Sequence, residues 1–125
     1  KYTFTGFVPY SQMALVYNSA DIVVLPSIGF DAAPLTLLES ICCCKPTIST
    51  EIGGIPEYSR NCGVVLLNVS ENLHNDIAKA IIDLENKETY FKLISLSKKK
   101  REEYDSKSFC CRYKEMLSES IVEDD

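Results

Sequence analysis

The sequence predicts an α/β fold in which short parallel strands alternate with helices. Asp21–Leu25 is a short β-branched run ended by Pro26, which is typical of a strand buried on both faces. Segments with apolar residues at three- and four-residue steps, such as Leu73, Ile77 and Leu84, are typical of packed helices. Because strands and helices alternate, we expect parallel strands joined by right-handed crossovers.

The expected elements follow from these patterns and from the turn residues between them. The run Gly53-Gly54-Ile55-Pro56-Glu57 breaks the chain and opens a short helical turn, and Ser70 is expected to cap the helix that follows it. In chain order we expect strand Thr3–Val8, helix Ser11–Ser19, strand Ile22–Leu25, helix Pro34–Cys43, strand Thr47–Ser49, strand Val64–Leu67, helix Glu71–Glu85, helix Glu88–Tyr104 and helix Phe109–Ile121.

Two residues mark the ends of the helix that follows the second strand. Pro34 falls at its expected first position, where the fixed φ of proline suits a helix and the missing N–H costs nothing. Cys44 occupies the position just after the helix, where Gly commonly adopts the left-handed conformation. A non-Gly residue costs about 1 kcal/mol or more there.

Glu39 is the only charged residue between Ala32 and Cys44. Burying an unpaired carboxylate costs several kcal/mol, so we expect Glu39 to face water, a backbone donor or the hydroxyls of a ligand. A helix that packs on one side only, with Glu39 on its wet side, would explain the same pattern, and both explanations stay open.

Composition and charge exclude several classes of protein. The chain has 125 residues, of which 46% are hydrophobic and 25% charged, as expected for one globular domain or part of one. A net charge of -5 argues against a general binder of nucleic acid or anionic membranes. The sequence also lacks a signal peptide and an apolar span long enough for a bilayer. The basic run Lys98–Arg101 is best explained as a solvated helix face.

The six cysteines do not form a metal-binding pattern. Cys42, Cys43 and Cys44 are consecutive and point about 100° apart on a helix, so they cannot converge on one ion, and the pair Cys110-Cys111 has the same problem. The only histidine, His74, lies in a predicted surface helix. We therefore expect small, buried or half-buried cysteines in a reducing compartment, and no metal site.

Five segments occur in a specific order between Phe4 and Gly63 and just beyond: FTGFV, YNSADIVVLPS, the acid-x7-acid segment from Asp31 to Glu39, CCCKPTISTEIGGIPEY and CGVVLL. Together they resemble the C-terminal half of a family 4 retaining glycosyltransferase with the GT-B fold. The resemblance implies a single, partial nucleotide-sugar-binding domain over 1–125, with a Rossmann-like part at 1–85 and C-terminal helices at 86–125.

The resemblance also implies roles for individual residues. Asp31 would take the catalytic position beside the donor sugar, and Glu39 would bind the ribose of the nucleotide. Ligands of open α/β sheets bind at the carboxyl ends of the strands, where a helix N-terminus attracts anions. The remaining donor-binding candidates are Ser27, at the end of the preceding strand, and the segment formed by Ala33, Pro34, Leu35 and Thr36.

The sequence departs from the family pattern in this segment. Asp31 stands where Glu is usual and is one methylene shorter, so contact with the sugar needs an inward loop or a bridging water. Pro34 removes one backbone donor, which leaves Leu35 and Thr36 to hold a diphosphate. Gly53-Gly54 would either let a ligand approach the backbone or form a plain turn, and we expect Glu57 to be capping or solvated.

The function implied by the resemblance is retaining transfer of a hexose from a UDP- or GDP-hexose, without a metal or other cofactor, to an acceptor glycan or lipid. The acceptor would be bound by an N-terminal domain outside this chain, so we expect the isolated chain to be inactive. We expect a cytoplasmic protein without a transmembrane segment, or one peripheral to the cytosolic face of a membrane. A non-catalytic GT-B-like remnant, acting as a binding or interaction module, is the alternative.

The strand order expected for this fold is 3-2-1-4-5-6. In that order the strand at Phe4 is separated from the strand at Ile22 by two strands that the chain lacks. We therefore expect these two strands to pair directly or the chain to oligomerise.

Overall fold

The computed structural model describes residues 1–32 and 34–104. The predicted helix Phe109–Ile121, the pair Cys110-Cys111 and the candidate residue Ala33 lie outside the described residues. The described elements are α1 (Tyr10–Ser19), β1 (Val23–Leu25), α2 (Leu35–Cys42), β2 (Thr47–Thr50), α3 (Ile55–Ser59), β3 (Val64–Leu67), α4 (Leu73–Asp83), α5 (Lys87–Arg101) and a 3-10 turn (Glu102–Tyr104).

The three strands form a parallel sheet in the order β1-β2-β3, which confirms the predicted α/β fold. Ile48 in the central strand pairs with Val24 on one side and with Val65 on the other. All four residues of β2 are buried. Since the strands run in the same direction, the loops after β1, β2 and β3 meet at one edge of the sheet.

Helices cover both faces of this sheet. On one face Leu37 and Ile41 of α2 pack with Ile55 and Cys62. On the opposite face Ile48 packs with two residues from the end of α4, Ala80 and Leu84. Side chains alternate between the faces along each strand, so β1 and β3 contribute to both clusters, as in Rossmann-like sheets, while β2 contributes Ile48 to the second cluster.

The predicted strand Thr3–Val8 is wrong. Residues 1–9 have no regular secondary structure, and the aromatic rings of Phe4 and Phe7 are exposed. A strand is stabilised by ladder hydrogen bonds to a neighbouring strand, and within the described chain β1 pairs with β2 alone. The expected direct pairing between the strands at Phe4 and Ile22 is therefore also absent from the described residues.

The end of α2 agrees with the prediction for Cys44, which has a φ of 56°. The Cys44 N–H donates to the Ile41 carbonyl at 2.9 Å, and the Lys45 N–H donates to the Ser40 carbonyl at 3.0 Å. These two bonds are the Schellman motif that usually carries glycine at the left-handed position.

Helix α5 packs directly on the backbone before β3. The fully buried Ser97 accepts a hydrogen bond from the Gly63 N–H through its hydroxyl oxygen, at 3.1 Å. A Cβ atom on Gly63 would lie 2.2 Å from the Leu93 carbonyl oxygen, so the contact requires glycine. This contact fixes α5 against the start of the strand.

Two predicted details in the C-terminal helices are wrong. Ser70 does not cap α4, because a turn from Ser70 to Leu73 precedes the helix and Asn72 takes the capping position. The apolar spacing of Phe91, Leu93 and Ile94 in the predicted helix Glu88–Tyr104 predicts that all three pack, but Phe91 is 61% exposed. Leu93 packs against the cluster of Ile48, Ala80 and Leu84 instead.

The expectations for cysteine burial and for the charged surface are confirmed. Cys42, Cys43 and Cys44 are partly buried and Cys62 is buried, and burial raises the pKa of Cys42, Cys43 and Cys62. Exposed side chains include His74, Lys98, Lys99 and Arg101. Among the described residues no helix is both long and apolar enough to cross a bilayer.

Candidate functional site

The loop after β1 is held against β2 and the loop that follows it. The Thr50 hydroxyl donates to the Ser27 backbone carbonyl at 2.6 Å, and the Gly54 N–H donates to the Asp31 backbone carbonyl at 2.8 Å. Ser27 and Asp31 therefore lie at the carboxyl edge of the sheet, as predicted from their positions after β1.

The glycine pair after β2 makes this contact sterically feasible. A Cβ atom on Gly53 would lie 2.3 Å from the Asp31 carbonyl oxygen, and one on Gly54 would lie 1.9 Å from the Ala32 carbonyl oxygen. Gly53 also has a φ of 57°. The sequence left approach of a ligand and a plain turn open at these glycines, and the structure shows a close approach by the chain's own loop. Glu57, in the first turn of α3, is exposed to solvent.

The start of α2 lies beside this loop and reaches the surface. Pro34 is buried at the N-cap position, so the helix begins at Leu35, one residue later than predicted. The Pro34 carbonyl accepts from the N–H groups of Leu37 and Leu38. Leu35 is 70% exposed, and Thr36 is also exposed. The first turn of α2 is therefore open to a ligand from solution.

Glu39, one turn further along α2, is half-buried and has a partner that the sequence analysis missed. The Tyr17 hydroxyl of α1 donates to Glu39 Oε2 at 2.9 Å, and it lies 3.4 Å from the Thr36 carbonyl oxygen. Tyr17 itself is only 7% exposed. Burial, followed by the hydrogen bond to Glu39, raises the pKa of Tyr17, so its hydroxyl remains a proton donor.

A cavity of about 320 Å³ lies between α1 and α2 beside this pair. Its volume is within the range of sites that bind small organic ligands. The Glu39 carboxylate offers acceptors for ligand hydroxyls, and the apolar walls suit a flat ring. The lining residues are Tyr10, Ser11, Met13, Ala14, Tyr17, Glu39, Cys42 and Cys43.

The predicted residues that the structure describes thus form a strip along the loop after β1 and along α2. Ser27 and Asp31 lie at the sheet edge, Leu35 and Thr36 at the start of the helix, and Glu39 beside the cavity. In the part of the chain that the structure describes, no group of three His, Cys, Asp or Glu side chains is placed to hold a metal ion.

Comparison with known families bears directly on this arrangement. Residues 1–107 match the family model described as glycosyl transferases group 1. The chain belongs to this family. The match includes all three strands and every candidate residue from Ser27 to Glu39, so the strip and the cavity lie within a glycosyltransferase domain. A comparison with curated proteins found no match.

Tyr17 could have been found from the sequence by a physical argument. A tyrosine in the helix before a buried strand needs a partner for its hydroxyl if its ring is buried. Glu39 was the one carboxylate in the next apolar helix. The sequence does not, however, determine how the two helices face each other, and this orientation makes the contact.

Proposed function

We propose that this group 1 glycosyltransferase domain binds a nucleoside diphosphate hexose and serves retaining transfer of the hexose to an acceptor. The observation that carries the proposal is the Glu39 carboxylate, which lines a cavity one helical turn from the exposed start of α2. One surface thus offers acceptors for sugar hydroxyls and, beside them, a helix N-terminus for an anion.

The nucleoside occupies the cavity between α1 and α2 in this proposal. Tyr17 uses one acceptor site on Glu39 Oε2. A carboxylate offers about four acceptor sites in all, so the others can accept bonds from the ribose hydroxyls. Met13 and Ala14 provide apolar walls for the base.

The diphosphate lies at the first turn of α2. The N–H groups of Leu35 and Thr36 belong to this turn, where backbone donors and the helix dipole favour negative charge. Pro34 supplies no N–H, so these two residues carry the anion contact. Stabilising the diphosphate as it leaves lowers the barrier for breaking the bond to the sugar.

The hexose then lies towards Asp31 and Ser27 at the sheet edge. The hydrogen bond from the Gly54 N–H fixes the backbone of Asp31, which supports a fixed position for the acid beside the hexose. Asp31 orients the sugar towards the acceptor, which binds to another part of the protein. The donor would be a UDP- or GDP-hexose, the acceptor a glycan or lipid, and no metal or other cofactor takes part.

A donor-hydrolysis and transfer assay on the natural protein tests this function. Release of UDP or GDP is measured with a panel of nucleotide hexoses, and the anomeric configuration of the product is determined by NMR. Glu39→Gln should raise the KM for the donor by about 10-fold or more, because a charged hydrogen bond is worth about 1.5–3 kcal/mol. Asp31→Asn should mainly lower kcat.

Glu57→Gln is the matched control, because Glu57 is exposed on α3 and outside the proposed site. It should leave both kinetic constants unchanged. If Glu39→Gln behaves like the Glu57 control, the donor does not bind at Glu39. An inverted product would overturn the retaining mechanism while leaving the donor site in place.

One observation favours donor binding without transfer as a second candidate. The shorter Asp31 side chain needs an inward movement of its loop or a bridging water to reach the sugar, and the contacts of Asp31 with Gly53 and Gly54 restrain the loop. A binding module predicts saturable binding of the nucleotide with no turnover in the natural protein. Turnover that Asp31→Asn abolishes would exclude it.

A further inference from the structure

Tyr17 is the buried residue of α1, and its hydroxyl bonds to the carboxylate at the proposed ribose position. It is 22 residues from Glu39 in sequence and belongs to the other wall of the cavity. The hydrogen bond therefore joins α1 and α2, the two helices that form the walls of the cavity. A ligand that reaches Glu39 meets a carboxylate whose Oε2 atom already accepts a hydrogen bond from Tyr17.

We propose that Tyr17 is a positioning residue that fixes the Glu39 carboxylate for the 2′- and 3′-hydroxyls of a ribose, and so selects ribonucleotide donors over their 2′-deoxy analogues. This inference rests on the proposed function, because it assumes that the ribose binds at Glu39. It adds a residue from a different helix and a specific substrate preference.

Of the two acceptors within reach of the Tyr17 hydroxyl, Glu39 Oε2 is the nearer. A phenol has one hydrogen to donate, and the 2.9 Å contact with Glu39 Oε2 is shorter than the 3.4 Å contact with the Thr36 carbonyl. The raised pKa of Tyr17 keeps that hydrogen in place at physiological pH. Oε2 is therefore held at a fixed point on the cavity wall.

Fixing the carboxylate in advance makes the site sensitive to a missing hydroxyl. A glutamate side chain has several freely rotating bonds, and ordering it at the moment of binding weakens affinity. A carboxylate already held by Tyr17 cannot turn to another donor when the 2′-hydroxyl is absent. Its acceptor site is then left unpaired in a half-buried place, and sites of this kind reject the analogue strongly.

The test is the ratio of the Kd values for a 2′-deoxy nucleotide and its ribonucleotide, measured by calorimetry on the natural protein. The probe pairs are UDP with 2′-deoxy-UDP, and GDP with 2′-deoxy-GDP. We expect the natural protein to prefer the ribonucleotide by roughly 10- to 100-fold, which is the range for losing a hydrogen bond to a charged group. In Tyr17→Phe the ratio should fall to within a few-fold of one.

Tyr90→Phe is the matched control, because it removes a phenol oxygen that bonds to the Asp21 carbonyl outside the cavity and leaves the bond between Tyr17 and Glu39 intact. The ratio should stay at its natural value in this variant. The double variant Tyr17→Phe/Glu39→Gln should match Glu39→Gln alone, since Tyr17 acts only through Glu39.

The outcomes separate this inference from the proposed function. Suppose that the ratio of the Kd values falls to about one in Glu39→Gln but stays at its natural value in Tyr17→Phe. Tyr17 then has a merely structural role and the inference is wrong, while the ribose site stands. If Glu39→Gln leaves both Kd values unchanged, or neither nucleotide binds the natural protein, the proposed function fails and the inference with it.

A second variant covers the case in which Tyr17→Phe does not fold. Glu39→Asp withdraws the carboxylate by one methylene from the Tyr17 hydroxyl and leaves the packing of Tyr17 unchanged. It should show the same loss of the ratio. A natural ratio in Glu39→Asp would contradict the inference.

Discussion

The Gly54 N–H donates a 2.8 Å hydrogen bond to the backbone carbonyl of Asp31, so the loop that carries the first acid of the motif rests on the loop after β2. The neighbouring Gly53 packs against the same residue. The Asp31 backbone fills the space that a Cβ atom on Gly53 would occupy. The position of Asp31 therefore depends on two glycines that lie more than twenty residues further along the chain.

Gly54→Ala tests this dependence. The added methyl group would lie 1.9 Å from the Ala32 carbonyl oxygen, so the loop must move away from β2. We expect the free energy of unfolding to fall by about 1–3 kcal/mol, as for other overpacked sites, and nucleotide affinity to fall with it. Denaturant unfolding and a binding titration measure the two effects.

Gly29→Ala is the control for that substitution, because a Cβ atom on Gly29 meets nothing within 4 Å. Gly29 lies in the loop after β1 that carries Asp31, and replacing glycine by alanine lowers the backbone entropy of the unfolded chain by a similar amount at both positions. If the two variants unfold and bind alike, the loop is not held by its contact with Gly54.

Ser97→Ala should destabilise the fold through a buried donor. The substitution leaves the Gly63 N–H without its acceptor at the point where α5 meets the sheet. An unsatisfied buried group costs about 1–3 kcal/mol in the free energy of unfolding. Ser95→Ala makes the same change at an exposed position two residues away, and should stay within about 0.5 kcal/mol of the natural protein. Equal urea midpoints for the two variants would refute the role given to Ser97.

Cys44→Gly should stabilise the fold. Cys44 has a φ of 56°, which costs a non-Gly residue about 1 kcal/mol, and glycine removes that cost. Cys43→Gly is the opposite case, since Cys43 has a φ of -80° and glycine there costs roughly 0.5–1 kcal/mol of added backbone entropy. In thermal unfolding, the Tm of Cys44→Gly should lie above that of the natural protein, and the Tm of Cys43→Gly should lie below it. A loss of stability in Cys44→Gly would show that the thiol contributes more than the strain costs.

Local sequence signals predicted much of the fold. β3 was predicted with its observed bounds because an apolar run follows Gly63, and the left-handed position of Cys44 followed from where α2 runs out of helical pattern. The strand at Thr3–Val8 failed for a tertiary reason. Its alternating aromatic residues suit a strand, but a strand exists only with a neighbour to pair with.

The candidate site was predicted only in part, because some of its contacts also depend on the tertiary structure. Glu39 was found because a lone acid in an apolar helix is costly, but its partner Tyr17 depends on how two helices face each other. Likewise, Gly53-Gly54 left approach of a ligand and a plain turn open, and the sequence did not show that the loop at Asp31 packs there. The roles of Ser27, Asp31, Leu35 and Thr36 in donor binding stay predictions, and so does that of Ala33.

The most direct test of the account is a two-dimensional amide NMR titration of the natural protein with UDP, GDP, UDP-glucose and GDP-mannose. We predict saturable shifts at Leu35, Thr36 and Glu39 for at least one of the four ligands, and their disappearance in Glu39→Ala but not in Glu57→Ala. A well-dispersed spectrum in which none of the four ligands shifts these three amides would contradict the proposed donor site.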